Sequence, residues 1–139
     1  MDIKCTCTTI RKANRAVFRF YEETMADSPL TVTQFAIVRA LHRNGPTPLS
    51  QLAEELVMER TSLYRTIKPL EDSKAIKIQS AKQGKAKIAE LTRKGHRLEM
   101  AAEPYWSDAQ KTMIGLIGKE EWKNLQVVLL KIPDLISDS

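Results

Sequence analysis

The sequence predicts a mainly α-helical fold with a small β-wing: a winged helix-turn-helix carried between outer helices. Two observations carry that prediction. Residues 49–70 read as two short helices around a tight turn, with Leu52, Ala53, Leu56, Leu63 and Ile67 on the inner side. Two short β-like runs follow at 76–81 and 86–91, joined by Lys82-Gln83-Gly84-Lys85, where Gln83-Gly84 supplies the turn.

The elements follow in order. Residues 9–26 are helix-like, with Ile10, Ala13, Val17, Phe20, Tyr21 and Thr24 on one face, and Asp27-Ser28-Pro29 breaks the pattern. Thr31-Val32-Thr33-Gln34 has capping-box spacing and opens a helix with the apolar stripe Phe35, Val38, Leu41. That helix is expected to stop at Asn44-Gly45-Pro46, and Pro46-Thr47-Pro48 to run extended. The third helix is expected over 49–58, with Ser50 as its N-cap. Ala53 keeps a small side chain where two helices cross closely. The fourth helix is expected from Glu59, with a kink near Pro69 or an end by about Ser73. Thr92-Arg93-Lys94-Gly95 opens a long helix with Leu98, Ala101, Ala102, Tyr105, Ala109, Met113 and Leu116 on one face, which Pro104 is expected to bend or break. Gly115 and Gly118 end it, and Lys119-Glu120-Glu121-Trp122 opens a last helix with the wide apolar stripe Trp122, Leu125, Val128, Leu129, Ile132. Those outer helices carry more apolar surface than one small domain hides, so a partner chain is expected on them.

A chain of 139 residues suits one domain, 1–139. With 42% hydrophobic and 28% charged residues, global disorder is excluded. No apolar run nears the roughly 20 residues that span a bilayer, so no membrane partner is expected. The start, Met1-Asp2-Ile3-Lys4-Cys5, lacks the layout of a signal peptide, and a cytoplasmic location is the expectation. No nucleophile elbow, phosphate loop or metal-ligand cluster stands in the sequence, and His42 and His96 lie far apart in it. Neither catalysis, a cofactor nor a metal is expected.

Charge locates the function. Residues 60–97 hold eleven basic and three acidic side chains, a net of +8 in a chain whose total is +5. A basic block laid over a helix-turn-helix is an electrostatic footprint for the phosphates of double-stranded DNA. Thr61, Ser62, Arg65 and Lys68 form the face expected to meet the major groove, with Arg60 and Ser50 beside it. Arg65 is the candidate base reader, because a guanidinium fork fits guanine O6 and N7. Ser62 and Thr61, near a helix N-terminus, suit a phosphate. Tyr64 has two readings, a phosphate contact through its hydroxyl or packing beneath the turn. Lys82, Lys85 and Lys87 are the phosphate contacts of the wing.

Two further groups are sensor candidates. Cys5 and Cys7 precede the first helix, near Lys4 and Arg11. Such thiols suit an oxidant sensor, a thiolate metal site shared across a dimer, or two ordinary exposed residues. Phe18, Tyr21, Tyr105, Trp106 and Met113 are candidates to line a cleft, with Arg15 or His42 to meet an anionic small-molecule effector; ordinary core is the plainer reading.

Four stretches together resemble the MarR family of winged helix-turn-helix transcription factors. They are Leu30-Thr31-Val32-Thr33-Gln34-Phe35, Leu49-Ser50-Gln51-Leu52-Ala53, Thr61 to Glu71, and Glu90-Leu91-Thr92-Arg93-Lys94-Gly95. The resemblance runs from about Thr9 to Ile132. It implies a homodimer paired through outer helices at 8–27 and 93–137, with a DNA-binding lobe at 31–92. It also implies a sequence-specific transcriptional regulator, a repressor of pseudo-palindromic operators, modulated by a small ligand or by cysteine oxidation. Wings of that family usually carry an acid and arginines at the tip; here residues 80–87 contain neither Asp nor Arg. Lysine cannot fork and suits a narrow minor groove less well, so only phosphate binding is carried over to this wing. Two readings of other classes remain: a winged-helix module binding an acidic protein, and a cysteine-based redox or metal protein.

Overall fold

The computed structural model describes residues 4–137. Six helices and three short strands follow in the order α1 (Thr6–Thr24), α2 (Val32–Asn44), β1 (Thr47–Pro48), α3 (Leu49–Glu55), α4 (Arg60–Asp72), β2 (Ile76–Ser80), β3 (Lys87–Leu91), α5 (Arg93–Ile117) and α6 (Lys119–Ser137). The sheet is antiparallel in the order β1-β3-β2, with Thr47 opposite Ala89 and Ser80 opposite Lys87. The mainly α class with a β-wing is thus the observed one. The extended segment around Thr47 is an edge strand of that wing.

The helix starts are chemically set. Thr31 Oγ1 accepts from Gln34 N–H at 3.1 Å while Thr31 N–H donates to Gln34 Oε1 at 3.0 Å, the reciprocal box expected from the sequence. Thr92 Oγ1 accepts from Gly95 N–H at 3.1 Å and faces the carbonyls of Lys74 and Ala75, which ties the start of α5 to the turn before β2. Ser50 is not a cap but the second residue of α3, which begins at Leu49 with Pro48 in the capping position and no side-chain bond.

Several boundaries move from their expected places. α1 begins three residues early and stops at Thr24. α3 ends at Glu55, not Met58, because Val57 takes a left-handed backbone, φ 52°. Met58 N–H then bonds Ala53 O at 2.9 Å and Val57 N–H bonds Glu54 O at 3.2 Å, the paired bonds of a Schellman end. α4 closes the same way: Lys74 has φ 70°, and Ala75 N–H reaches Leu70 O at 2.9 Å. Pro104 does not interrupt α5, which runs unbroken through it, and Pro69 and Pro133 likewise lie inside helices.

The core sits under the two-helix reader. Ile37, Val38, Ala40 and Leu41 of α2, Leu52 and Ala53 of α3, Leu63, Ile67 and Leu70 of α4, and Ile76 and Ala89 of the wing are all buried, with Ala102 of α5 closing one side. Ala53 is buried, and α3 packs on α4. The outer helices differ. α1 lies along α5 and α6 packs on α5, yet neither α1 nor α6 contains a buried residue. Leu125, Val127, Val128, Leu129 and Leu130 on α6 are exposed, as are Ile10, Val17 and Phe18 on α1. Among the described residues no helix is long and apolar enough to cross a membrane.

Candidate nucleic-acid interface

The inward turns of α4 are fixed by Leu63, Ile67 and Leu70, whose burial leaves Arg60, Thr61, Ser62, Tyr64, Arg65 and Lys68 exposed. The wing folds back beside that face. Ser50, Arg60, Tyr64, Lys85 and Lys87, with Leu49 and Ala86, line one groove of about 250 Å³ between α3, α4 and the hairpin. Three segments distant in sequence therefore put three cationic side chains and two hydroxyls on one concave surface. Tyr64 is 47% exposed on the groove wall and so is not packed beneath the turn.

The remaining candidates sit less centrally. Thr61, Ser62 and Arg65 continue the exposed face beyond the groove, and Lys82 stands at the exposed tip of the hairpin. Lys68 pairs with Asp72 at 2.9 Å, which raises its pKa, and both side chains are well exposed. An exposed pair of this kind contributes little to stability. Lys87 Nζ lies 3.4 Å from Ser80 Oγ across the hairpin. Gly84, φ 88°, makes the tip turn.

The cleft candidates divide. Phe18, Tyr21 and Trp106 do converge, with Val17, Val32, Phe35, Ala36 and Leu56, around a cavity of about 450 Å³ between α1, α2 and α5. Arg15, Tyr105 and Met113 are not on that wall; Tyr105 packs against the core instead. His42 lines a separate cavity of about 580 Å³ with Arg39, Arg43, Glu99, Met100 and Glu103. Sequence reasoning missed Arg39, which borders both cavities. Its guanidinium stands 5.3 Å from the Phe35 ring centre and 5.0 Å from that of Trp106, a cation–π seat. Burial raises the Tyr21 pKa, and its hydroxyl donates to Gln110 Oε1. The sequence also left His42 and His96 apart, whereas the structure joins them: both rings meet beside Glu99.

Cys5 and Cys7 are both free and exposed. Cys5 occupies the N-cap position of α1. The nearby backbone N–H of Thr8, then its hydroxyl, then the backbone N–H of Cys7 favour the thiolate and lower the Cys5 pKa, although none forms a cap hydrogen bond to the sulfur. The cause is the open helix end, not the neighbouring Lys4 and Arg11.

A two-helix reader with a basic wing defines a winged helix-turn-helix protein. Residues 30–80 match the model described as MarR family, and the chain as a whole has the MarR-type fold. It is similar to the M. tuberculosis transcriptional regulator MosR, at 24% identity over 98% of each chain with a TM-score of 0.85, a regulator also solved in complex with DNA. It is similar too to the transcriptional repressor CouR bound to a 23-mer DNA duplex, at 19% identity over 96% of this chain and 99% of that one, TM-score 0.83. Bordetella bronchiseptica BpsR, whose DNA binding is regulated by 6-hydroxynicotinic acid, shares 20% identity over 94% and 95% of the two chains, TM-score 0.82. No curated protein matches the sequence.

Proposed function

We propose that this chain is a sequence-specific DNA-binding transcriptional regulator, a repressor acting as a homodimer, and not an enzyme. The observation that carries it is the groove in which Ser50, Arg60, Tyr64, Lys85 and Lys87 converge beside the exposed Thr61, Ser62 and Arg65. A helix face flanked by lysines suits a major groove and its adjoining phosphates. Fold-level neighbours bound to duplex DNA support the same reading. Residues 31–92 form the DNA-binding lobe in this reading, and 8–27 and 93–137 pair the protomers. The uncovered apolar residues of α1 and α6 supply the reason for pairing.

Regulation enters through the cavity at Phe18, Tyr21, Phe35, Arg39 and Trp106, with Arg43 on the same wall; its aromatic walls and cations suit a small aromatic anion. Neighbours with a nicotinic-acid effector, a coumaroyl-CoA ligand and an oxidised form make ligand or thiol control the natural companion. The test is a footprint on the DNA flanking the coding region of this protein, with and without oxidant and at rising salt. A discrete, symmetric protected site that weakens steeply with salt is expected; uniform or absent protection rejects the reading.

A further inference from the structure

Where the last turn of α2 touches the first turns of α5, His42, His96 and Glu99 converge. Each offers a ligand atom, and the three atoms lie within 4.8 Å of one another. His96 and Glu99 are three residues apart on α5 and so share one face, while His42 arrives from α2. The two imidazoles stand edge to face with centroids 5.2 Å apart. The Glu99 side chain is only 9% exposed, with Oε1 hydrogen-bonded to His42 Nδ1 and Oε2 3.9 Å from Arg39 Nε. A carboxylate that needed only to be neutralised would be served by Arg39 and His42. The second imidazole beside the same carboxylate is what an ion pair leaves unexplained.

We propose that His42, His96 and Glu99 form a binding site for a divalent transition ion of the zinc class, which clamps the end of α2 to α5. Two imidazoles and one carboxylate are borderline donors that select zinc-like ions over magnesium or calcium. Three protein ligands leave one tetrahedral position for water, and the cavity lined by Met100 and Glu103 opens there. With bonds of about 2.0–2.1 Å, tetrahedral ligand atoms stand about 3.3 Å apart, so closure asks movement on the order of an ångström. Both histidines are exposed and able to move that far. The ion takes the place of the proton between His42 Nδ1 and Glu99 Oε1, which leaves to solvent. Arg39, seated on Phe35 and Trp106, remains on Oε2 and orients the carboxylate from behind.

The test uses the full chain carrying Cys5→Ser and Cys7→Ser, stripped of metal by chelation and titrated with Co²⁺ alone, then Zn²⁺. Visible cobalt bands saturating at one ion per chain, and bleached by Zn²⁺, are expected. His42→Ala and His96→Ala remove exposed side chains and leave the core intact; each is expected to weaken binding tenfold or more with unchanged far-ultraviolet circular dichroism. Absent bands, or equal affinity in both variants and the parent, overturn the proposal. So does metal binding seen with the cysteines present and lost with them. DNA is in none of these arms, so the result stands apart from the regulator reading.

Discussion

Arg65 and Lys85 are both exposed cations near the same groove, yet they are built for different work. Arg65 stands on α4 next to Tyr64 and, in the proposed reading, offers a forked donor to base edges; Lys85 sits on the hairpin as a flexible point charge. Arg65→Ala is therefore expected to cost about 1–3 kcal/mol of discrimination at one base pair. Lys85→Ala is expected to weaken all duplexes evenly and reduce the salt slope by about one. Gel-shift titrations on matched and mismatched duplexes separate the two. Cys5 gives a pH prediction: its lowered pKa places half-maximal alkylation by iodoacetamide below the pH of an ordinary exposed thiol. The thiolate preference is present above the ordinary value and is lost as pH falls through the folded one. Thr8→Val, which keeps the backbone N–H and removes the hydroxyl, is expected to move the profile part of the way up. Residue chemistry was legible wherever it was local. The Thr31–Gln34 box stands three residues apart in the chain, whereas Arg39 and the His42–His96–Glu99 cluster exist only because α2 packs on α5.

At the scale of elements, apolar spacing located the six helices of the described residues, and the chemistry of their ends decided how well their limits could be read. Helix stops at Gly45 and Gly118 were visible because glycine accepts positive φ, here 72° and 99°. The stops of α3 and α4 were hidden because Val57 and Lys74 take that backbone instead. Valine in the left-handed region carries a strain of about 1–2 kcal/mol, and Val57 is 87% exposed with no packing to offset it. Val57→Asn is expected to raise the thermal midpoint; a lowered midpoint would contradict the strain. Pro104 misled the reading of α5. It is exposed, as is Met100, whose carbonyl it leaves without its helical partner, while Ala102 and Ala109 are buried on either side of it. Gly95 marked a helix start in the sequence, but its purpose is contact. A Cβ there would lie 2.3 Å from Ala75 O and 2.4 Å from Leu91 Cδ1. Gly95→Ala is expected to destabilise by about 1–3 kcal/mol in urea unfolding, since the backbone of the wing must shift to admit it.

For the whole molecule, the division of labour follows from where burial is complete. Residues around α2, α3, α4 and the wing close their own core, and α1 and α6 do not. That contrast is legible in the sequence as an apolar surplus on the outer helices, because a stripe wider than one helix contact needs a second surface. The Val128→Glu substitution on exposed α6 is expected to shift sedimentation toward monomer while leaving the two-helix reader folded. In the proposed dimer, the two basic grooves are expected about one DNA turn apart. The most direct measurement is fluorescence anisotropy of the flanking-DNA duplex against protein concentration across salt, with sedimentation on the same sample. For a dimer making about 6–10 phosphate contacts, affinity should fall by roughly 10³–10⁵ between about 50 and 200 mM salt. A monomer that ignores the duplex even at the lowest salt would contradict the claim that these cations are arrayed for DNA.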